Sequence, residues 1–151
     1  MAVTMTGEVL LPADRPTVWA RLNDAETLKT SIPGCESLEK LSDTELQAVA
    51  KIKIGPVSAR FKGKVNLTDM DPPNSYRISG QGDGGIAGFA KGGANVSLSD
   101  ADGGGTKLSY DVDAQVGGKI AQLGGRLIDS TAKKLADEFF ANFAKALGGG
   151  A

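Results

Sequence analysis

Along most of this chain apolar and polar residues alternate, and only near its C-terminal end does the spacing change to that of a helix. In residues 45–54, Leu46, Ala48, Ala50, Ile52 and Ile54 share one face, and Glu45, Gln47, Lys51 and Lys53 take the other. Residues 57–67 repeat the pattern, with Val57, Ala59, Phe61, Gly63, Val65 and Leu67 inward and Ser58, Arg60, Lys62, Lys64 and Asn66 outward. Gly55-Pro56 joins the two runs as a hairpin or bent turn. Further strands fit 75–82, 92–99 and 106–116, a short one is marked by Leu38 and Leu41, and Asp71-Pro72-Pro73-Asn74 is the clearest break. Residues 2–11 alternate as well and give a first strand. After it, Asp14 is placed to cap a helix that tolerates Pro16 in its first turn and carries Val18, Trp19 and Leu22. A second short helix fits Ala25 to Ser31 and is stopped by Ile32-Pro33-Gly34.

From Gly117 to Leu147 the period is helical. Ile120, Leu123, Leu127, Ile128, Leu135, Phe139 and Phe143 recur at three- and four-residue steps, opposite Arg126, Asp129, Lys133 and Asp137. This predicts one long amphipathic helix of roughly 45 Å, aliphatic up to Ile128 and aromatic from Phe139. Gly124 and Gly125 interrupt it at a propensity cost of about 1–2 kcal/mol, which fits close packing against the sheet, space for a ligand, or simply a bend in the helix. Its partner surface is the alternating segments, so the chain reads as α+β: a curved antiparallel sheet of about seven strands around a C-terminal helix, in the order β-α-α-β6-α. No linker or repeat is evident, so residues 1–147 are expected to form one domain, with 148–151 as a flexible tail.

The inward set is unusually small. Beside its Leu, Ile and Val it holds Ala48, Ala50, Ala59, Gly63, Gly80, Gly82, Ala94 and Ala114, and glycine reaches 21 of 151 residues. Either the strands pack tightly onto the helix, or an apolar space remains for a ligand. If a space remains, the expected lining is Ala48, Ala50, Phe61, Val65, Ile78, Val96, Tyr110, Leu123, Leu127 and Leu135. The glycine-rich segment 82–93 carries Ile86 and Phe89, which fit either a lid over that space or a plain hairpin end.

Composition narrows the chemistry. There is no histidine, which removes the commonest general base, the usual metal ligand and every Ser-His or Cys-His arrangement. The single Cys35 excludes an intramolecular disulfide and a cysteine-cluster metal site. With 17 Lys and Arg against 18 Asp and Glu, nothing suggests nucleic acid. The start MAVTMTGEVLLPADRP has neither a basic n-region nor a continuous apolar h-region. A cytoplasmic, metal-free protein is expected.

Asp14-Arg15-Pro16-Thr17-Val18-Trp19, Ile32-Pro33-Gly34-Cys35-Glu36, Lys53-Ile54-Gly55-Pro56-Val57, Phe61-Lys62-Gly63 and Gly124-Gly125-Arg126-Leu127-Ile128, in this element order, resemble the carbon monoxide dehydrogenase CoxG family. That family sits within the START/Bet v 1-like (SRPBCC) group of helix-grip proteins. The resemblance covers nearly all of the chain. It implies a sheet gripping a C-terminal helix around a hydrophobic cavity. It also implies a role as an accessory to carbon monoxide dehydrogenase or a related molybdenum hydroxylase, in membrane recruitment or in handling a quinone or lipid. Some relatives carry a membrane-active tail beyond the helix; with the chain ending at Ala151, membrane contact is expected to be peripheral, at the inner face.

Three functions remain open. The first is a non-catalytic carrier of a lipophilic molecule, with no cofactor and no catalytic residue. The second is a cyclase- or dehydratase-type enzyme using Tyr76, Tyr110, Asp111 or Asp113, although the alternation puts both aspartates on the polar side. The third is an interaction module whose basic stripe, Lys51, Lys53, Arg60, Lys62 and Lys64, meets an acidic partner or anionic headgroups, or is simply a solvated face.

Overall fold

Alternating segments become strands only where neighbours complete their hydrogen bonds, and here all but the first find them in chain order. The computed structural model describes residues 1–148; beyond Gly148 the expected tail lies outside the described residues. The strands are β1 (Ala2–Leu11), β2 (Cys35–Lys40), β3 (Glu45–Ile54), β4 (Val57–Asp71), β5 (Ser75–Asp83), β6 (Phe89–Asp100) and β7 (Thr106–Gly117). They form one seven-stranded sheet in the order β1-β7-β6-β5-β4-β3-β2, with every neighbouring pair antiparallel. The meander from β2 to β7 therefore needs only turns, and β1 completes it by pairing with β7. Helices α1 (Arg15–Leu22) and α2 (Ala25–Ser31) make the one long crossing, from the β1 edge to the β2 edge.

Local chemistry sets the limits of both short helices. Asp14 is extended at ψ 166°, and its side chain accepts from the Thr17 amide at 3.1 Å. Asp24 does the same for α2, accepting from the Thr27 amide at 3.2 Å and from its hydroxyl at 2.6 Å. Each aspartate thus satisfies a first-turn amide that has no partner within its own helix. The strands run longer than the sequence pattern indicates: β4 continues to Asp71 and β6 begins at Phe89.

The C-terminal helix differs from the reading in its start. Gly117 still belongs to β7, Gly118 turns at φ +79°, and Lys119–Leu123 form a 3-10 turn. Gly124, at φ +96°, breaks the chain again before α3 (Gly125–Ala146). A 3-10 turn repeats every three residues, so Ile120 and Leu123 fall at steps that imitate an α-helix. Of the expected causes of the glycine pair, the structure shows the bend and not close packing. A Cβ at Gly124 or Gly125 would meet nothing within 4 Å, and Gly124 is required by its left-handed backbone, not by crowding.

Two clusters of side chains lie under α3. One gathers Leu11, Val18, Leu22, Leu46, Leu67, Tyr76, Val96, Leu98, Leu108 and Phe143. The other, around the start of the helix, gathers Val3, Ala87, Val116, Ile120 and Ile128. The aliphatic first half of α3 serves the second cluster, and its aromatic second half serves the first. The Asn142 side chain donates to the Ser31 carbonyl at 3.1 Å and ties α3 to the end of α2.

Phe143 has no exposed surface and stacks on Phe139 at 5.8 Å. Phe143→Ala is expected to cost about 3–5 kcal/mol, read as a lower urea midpoint with an unchanged slope.

Candidate functional site

Between the aromatic half of α3, the two short helices and the concave face of the sheet lies a cavity of about 310 Å³. The sheet supplies its floor in register. Ile78 faces Ala94, Ala94 faces Val112, and Val112 faces Met5, while Tyr76, Val96 and Tyr110 form the next row. Leu38, Leu46, Ala48, Val65 and Leu67 extend the lining toward β2. Leu22, Leu28 and Ile32 close it from the short helices, and Ala136, Phe139 and Phe140 close it from α3. Its walls are therefore almost entirely hydrocarbon and aromatic ring.

The polar groups on its border are few. Lys40 is exposed at the edge, where its Nζ donates to the Asn23 carbonyl at 3.1 Å; the Asn23 side chain in turn donates to the Trp19 carbonyl at 2.9 Å. Tyr110 stacks on Phe140 at 5.3 Å, and its ring lies over Gly7, where any Cβ would collide with the hydroxyl end. Burial, with a smaller contribution from the Asp137 charge, pushes the Tyr110 phenol up. Tyr76 is 5% exposed and meets Trp19 edge-on at 5.2 Å. Its phenol is pushed up much further, by burial alone.

Of the residues expected to line a space, Ala48, Val65, Ile78, Val96 and Tyr110 border this cavity. Ala50, Phe61, Leu123, Leu127 and Leu135 do not. Phe61 and Leu123 pack with the second cluster, and the Phe61 ring would stand 2.6 Å from a Cβ at Gly84. Leu127 covers the Gly55 turn, and Leu135 borders a surface groove with Lys51 and Lys53. Alternation fixes which side a residue faces but not how far along the strand the helix rests; Phe61, Leu123 and Leu127 lie near the start of α3, while Leu135, in the middle of that helix, turns to the groove beside Gly34 and Lys51. Ala50 faces Phe61 across the β3–β4 pair and goes with it. The contributions of Leu22, Leu28, Ile32 and Phe140 were missed, although their apolar positions on the helices were visible.

Ile86 and Phe89 sit at the β5–β6 hairpin end and do not border the cavity. A 3-10 turn over Gly85–Ala87 buries Ala87 and leaves Ile86 93% exposed. The Phe89 ring folds over Gly117, which has no side chain to obstruct it. This end of the sheet is closed by its own second cluster.

The convex face is polar. Lys51, Lys53, Arg60, Lys62 and Lys64 are all exposed on it, and Lys51 stands directly opposite Arg60. Arg60 is already engaged, donating to Glu36 at 2.7 Å and holding that carboxyl below its usual range. Asp111 and Asp113 lie on the same side of the sheet, by a wider depression of about 470 Å³ bordered by Arg77, Asn95 and Asp111. Its groups satisfy one another: Arg77 donates to Asn95 at 3.1 Å and to Asp113 at 3.3 Å, and Asn95 donates to Asp111 at 2.9 Å. No group of residues among those described could hold a metal ion. No described helix is long and apolar enough to cross a membrane.

The model of the carbon monoxide dehydrogenase CoxG family matches residues 7–148. The chain belongs to that family. Among solved structures, this CoxG chain is similar to a conserved protein from Geobacillus kaustophilus, at 31% identity and TM-score 0.90, covering 97% of this chain and 95% of the other. A START superfamily protein from Mycobacterium smegmatis aligns at 21% identity and TM-score 0.65, over 97% and 94% of the two chains. The ZhuI aromatase/cyclase from Streptomyces sp. R1128 aligns at 10% identity and TM-score 0.70, over 97% and 93%. The last two are alike in fold alone. No curated protein matches the sequence. The fold is START/Bet v 1-like, as the sheet order and the long C-terminal helix require.

A phenol that folding pushes up makes stability fall in alkali. The folded protein holds the Tyr76 proton more tightly than the unfolded chain does, so its contribution is fully present below about pH 10.0, the ordinary phenol value, and is lost above it. Urea midpoints measured from about pH 8 to 11.5 are expected to decline above about pH 10, and Tyr76→Phe is expected to flatten part of that decline.

Proposed function

We propose that this CoxG-family chain is a non-catalytic carrier of a lipophilic molecule, a quinone or lipid, acting as an accessory to a carbon monoxide dehydrogenase-type molybdenum hydroxylase. The observation that carries the reading is the cavity of about 310 Å³ walled by aliphatic and aromatic side chains, at the small end of ligand-site volumes. Burying apolar ligand surface there contributes about 25 cal/mol per Å². The family's description supports the choice of enzyme partner, and the cavity supports a role in handling a lipophilic molecule.

The enzyme reading has less to work with. The polar groups bordering the cavity are two phenols, Asn23 and Lys40. A phenol held protonated donates a hydrogen bond but does not act as a base near neutral pH. The carboxylates Asp111 and Asp113 project from the other side of the sheet. Burial likewise pushes the Cys35 thiol up, away from a reactive thiolate.

Gentle purification followed by native mass spectrometry and organic extraction tests the carrier. A stoichiometric lipophilic molecule is expected with the wild type. Ala94→Phe, which puts a ring into the centre of the cavity floor, is expected to lower its occupancy at least tenfold while the fold is kept. Wild type that retains nothing and takes up neither quinone nor fatty acid in titration would end this reading.

An accessory also needs a face to dock. Lys51, Lys53, Lys62 and Lys64 are exposed on the convex side and form no salt bridge among the described residues. This face is assigned to an acidic patch on the partner enzyme. Lys62→Glu with Lys64→Glu is expected to weaken co-sedimentation with the hydroxylase roughly tenfold at low salt and less at high salt. Undiminished binding would return these lysines to a purely solvated role.

A further inference from the structure

A hydroxyl in an apolar site has to find a partner or lose free energy. Tyr76 is nearly sealed from solvent, and its Oη makes no hydrogen bond to any described residue, whereas the other buried hydroxyls do. Thr106 donates to the Ala13 carbonyl and Ser31 to the Thr27 carbonyl, both at 2.7 Å. No described side-chain oxygen or nitrogen that is fully sealed from solvent lacks a partner, so the Tyr76 hydroxyl meets open space. Tyr76 borders both the convex depression and the cavity, but its ring lies on the helix side, against Trp19, so the space open to its hydroxyl is the cavity.

We infer that Tyr76 is the specificity-determining donor of the cavity, and that the ligand is an uncharged, mainly hydrocarbon molecule carrying one acceptor oxygen at its buried end. This rests on the carrier reading. The geometry assigns each part of such a ligand a place. Tyr76 is buried, while Lys40 is exposed at the edge, so the end that reaches Tyr76 is the one that enters first. Tyr110, Phe139 and Phe140 offer ring faces and edges in between, with Tyr110 stacked on Phe140 and Phe139 edge-on to it at 5.1 Å. That suits a flat ring. A phenol kept neutral can donate to a carbonyl but offers no counter-charge to a carboxylate. A carboxylate driven to that depth would be buried unpaired.

The pair 1-tetralone and tetralin tests this, since one ring skeleton comes with and without a carbonyl oxygen. Tetralin-1-carboxylate supplies the charged alternative. Binding is measured by titration calorimetry, with the emission of Trp19, the only tryptophan and in edge contact with Tyr76, as an independent reading. Wild type is expected to bind the ketone about three- to tenfold more tightly than the hydrocarbon, the range for one net hydrogen bond. Tyr76→Phe should bring the ketone down to the hydrocarbon's affinity and leave tetralin unchanged; Tyr110→Phe should keep the preference. Equal affinity for the two in wild type, a preference that survives in Tyr76→Phe, or tightest binding of the carboxylate each overturns the assignment while leaving a carrier. Binding of none of the three overturns the carrier reading and this inference with it, and the wild-type comparison stands whatever the stability of the variants.

Discussion

One helix has to cover seven strands. At 22 residues, α3 is roughly 33 Å long and about 10 Å wide, while seven strands at about 4.8 Å spacing make a sheet roughly 30 Å across. Curvature brings the two edges toward the helix but cannot remove the mismatch. The chain meets it differently at its two ends. Near the start of α3, the 3-10 turn, the β5–β6 hairpin and the Phe61 ring fill the space, and the second cluster is closed. Near its aromatic half, α1 and α2 cover the floor from a distance, and the cavity is what separates them from it.

This arrangement explains why so much of the fold was legible and so little of the site. Period-two alternation is a statement about one strand at a time, and for β1, β3 and β7 it gave the boundaries almost to the residue. Asp14 announced the first short helix because capping is a local interaction, and Ile32-Pro33-Gly34 marked the end of the second, whose Asp24 cap went unread. The long helix was misjudged where two local repeats coincide, since the step from Ile120 to Leu123 suits a 3-10 turn as well as an α-helix. The cavity lining depends on a third kind of information. Ala48 and Ala50 are equivalent by alternation, yet one borders the cavity and the other does not, because the difference lies in where α3 rests along β3. No pattern within β3 carries that distance.

The small inward residues make the same point from another side. Gly63, Gly80 and Gly82 were grounds for expecting a cavity, but none of the three borders it. The backbone at Gly63 and Gly80 is already close: a Cβ there would lie 3.2 Å from a carbonyl oxygen of the neighbouring strand. Gly63 and Gly80 thus sit where the strands leave no room for a side chain without a shift.

Apolar walls supply affinity without orientation. Burial is proportional to area and almost indifferent to which way a hydrophobic molecule lies, so a site made only of Leu, Val and Phe would accept many ligands in many poses. Placing one neutral donor at the sealed side changes this, because a ligand that turns its acceptor away leaves the Tyr76 hydroxyl unpaired. The penalty falls on the wrong pose instead of adding much to the right one. For a carrier this is the useful division. On the proposed carrier reading, apolar walls would hold a ligand without fixing its pose, and the Tyr76 hydroxyl, with Lys40 at the rim, would decide which end leads.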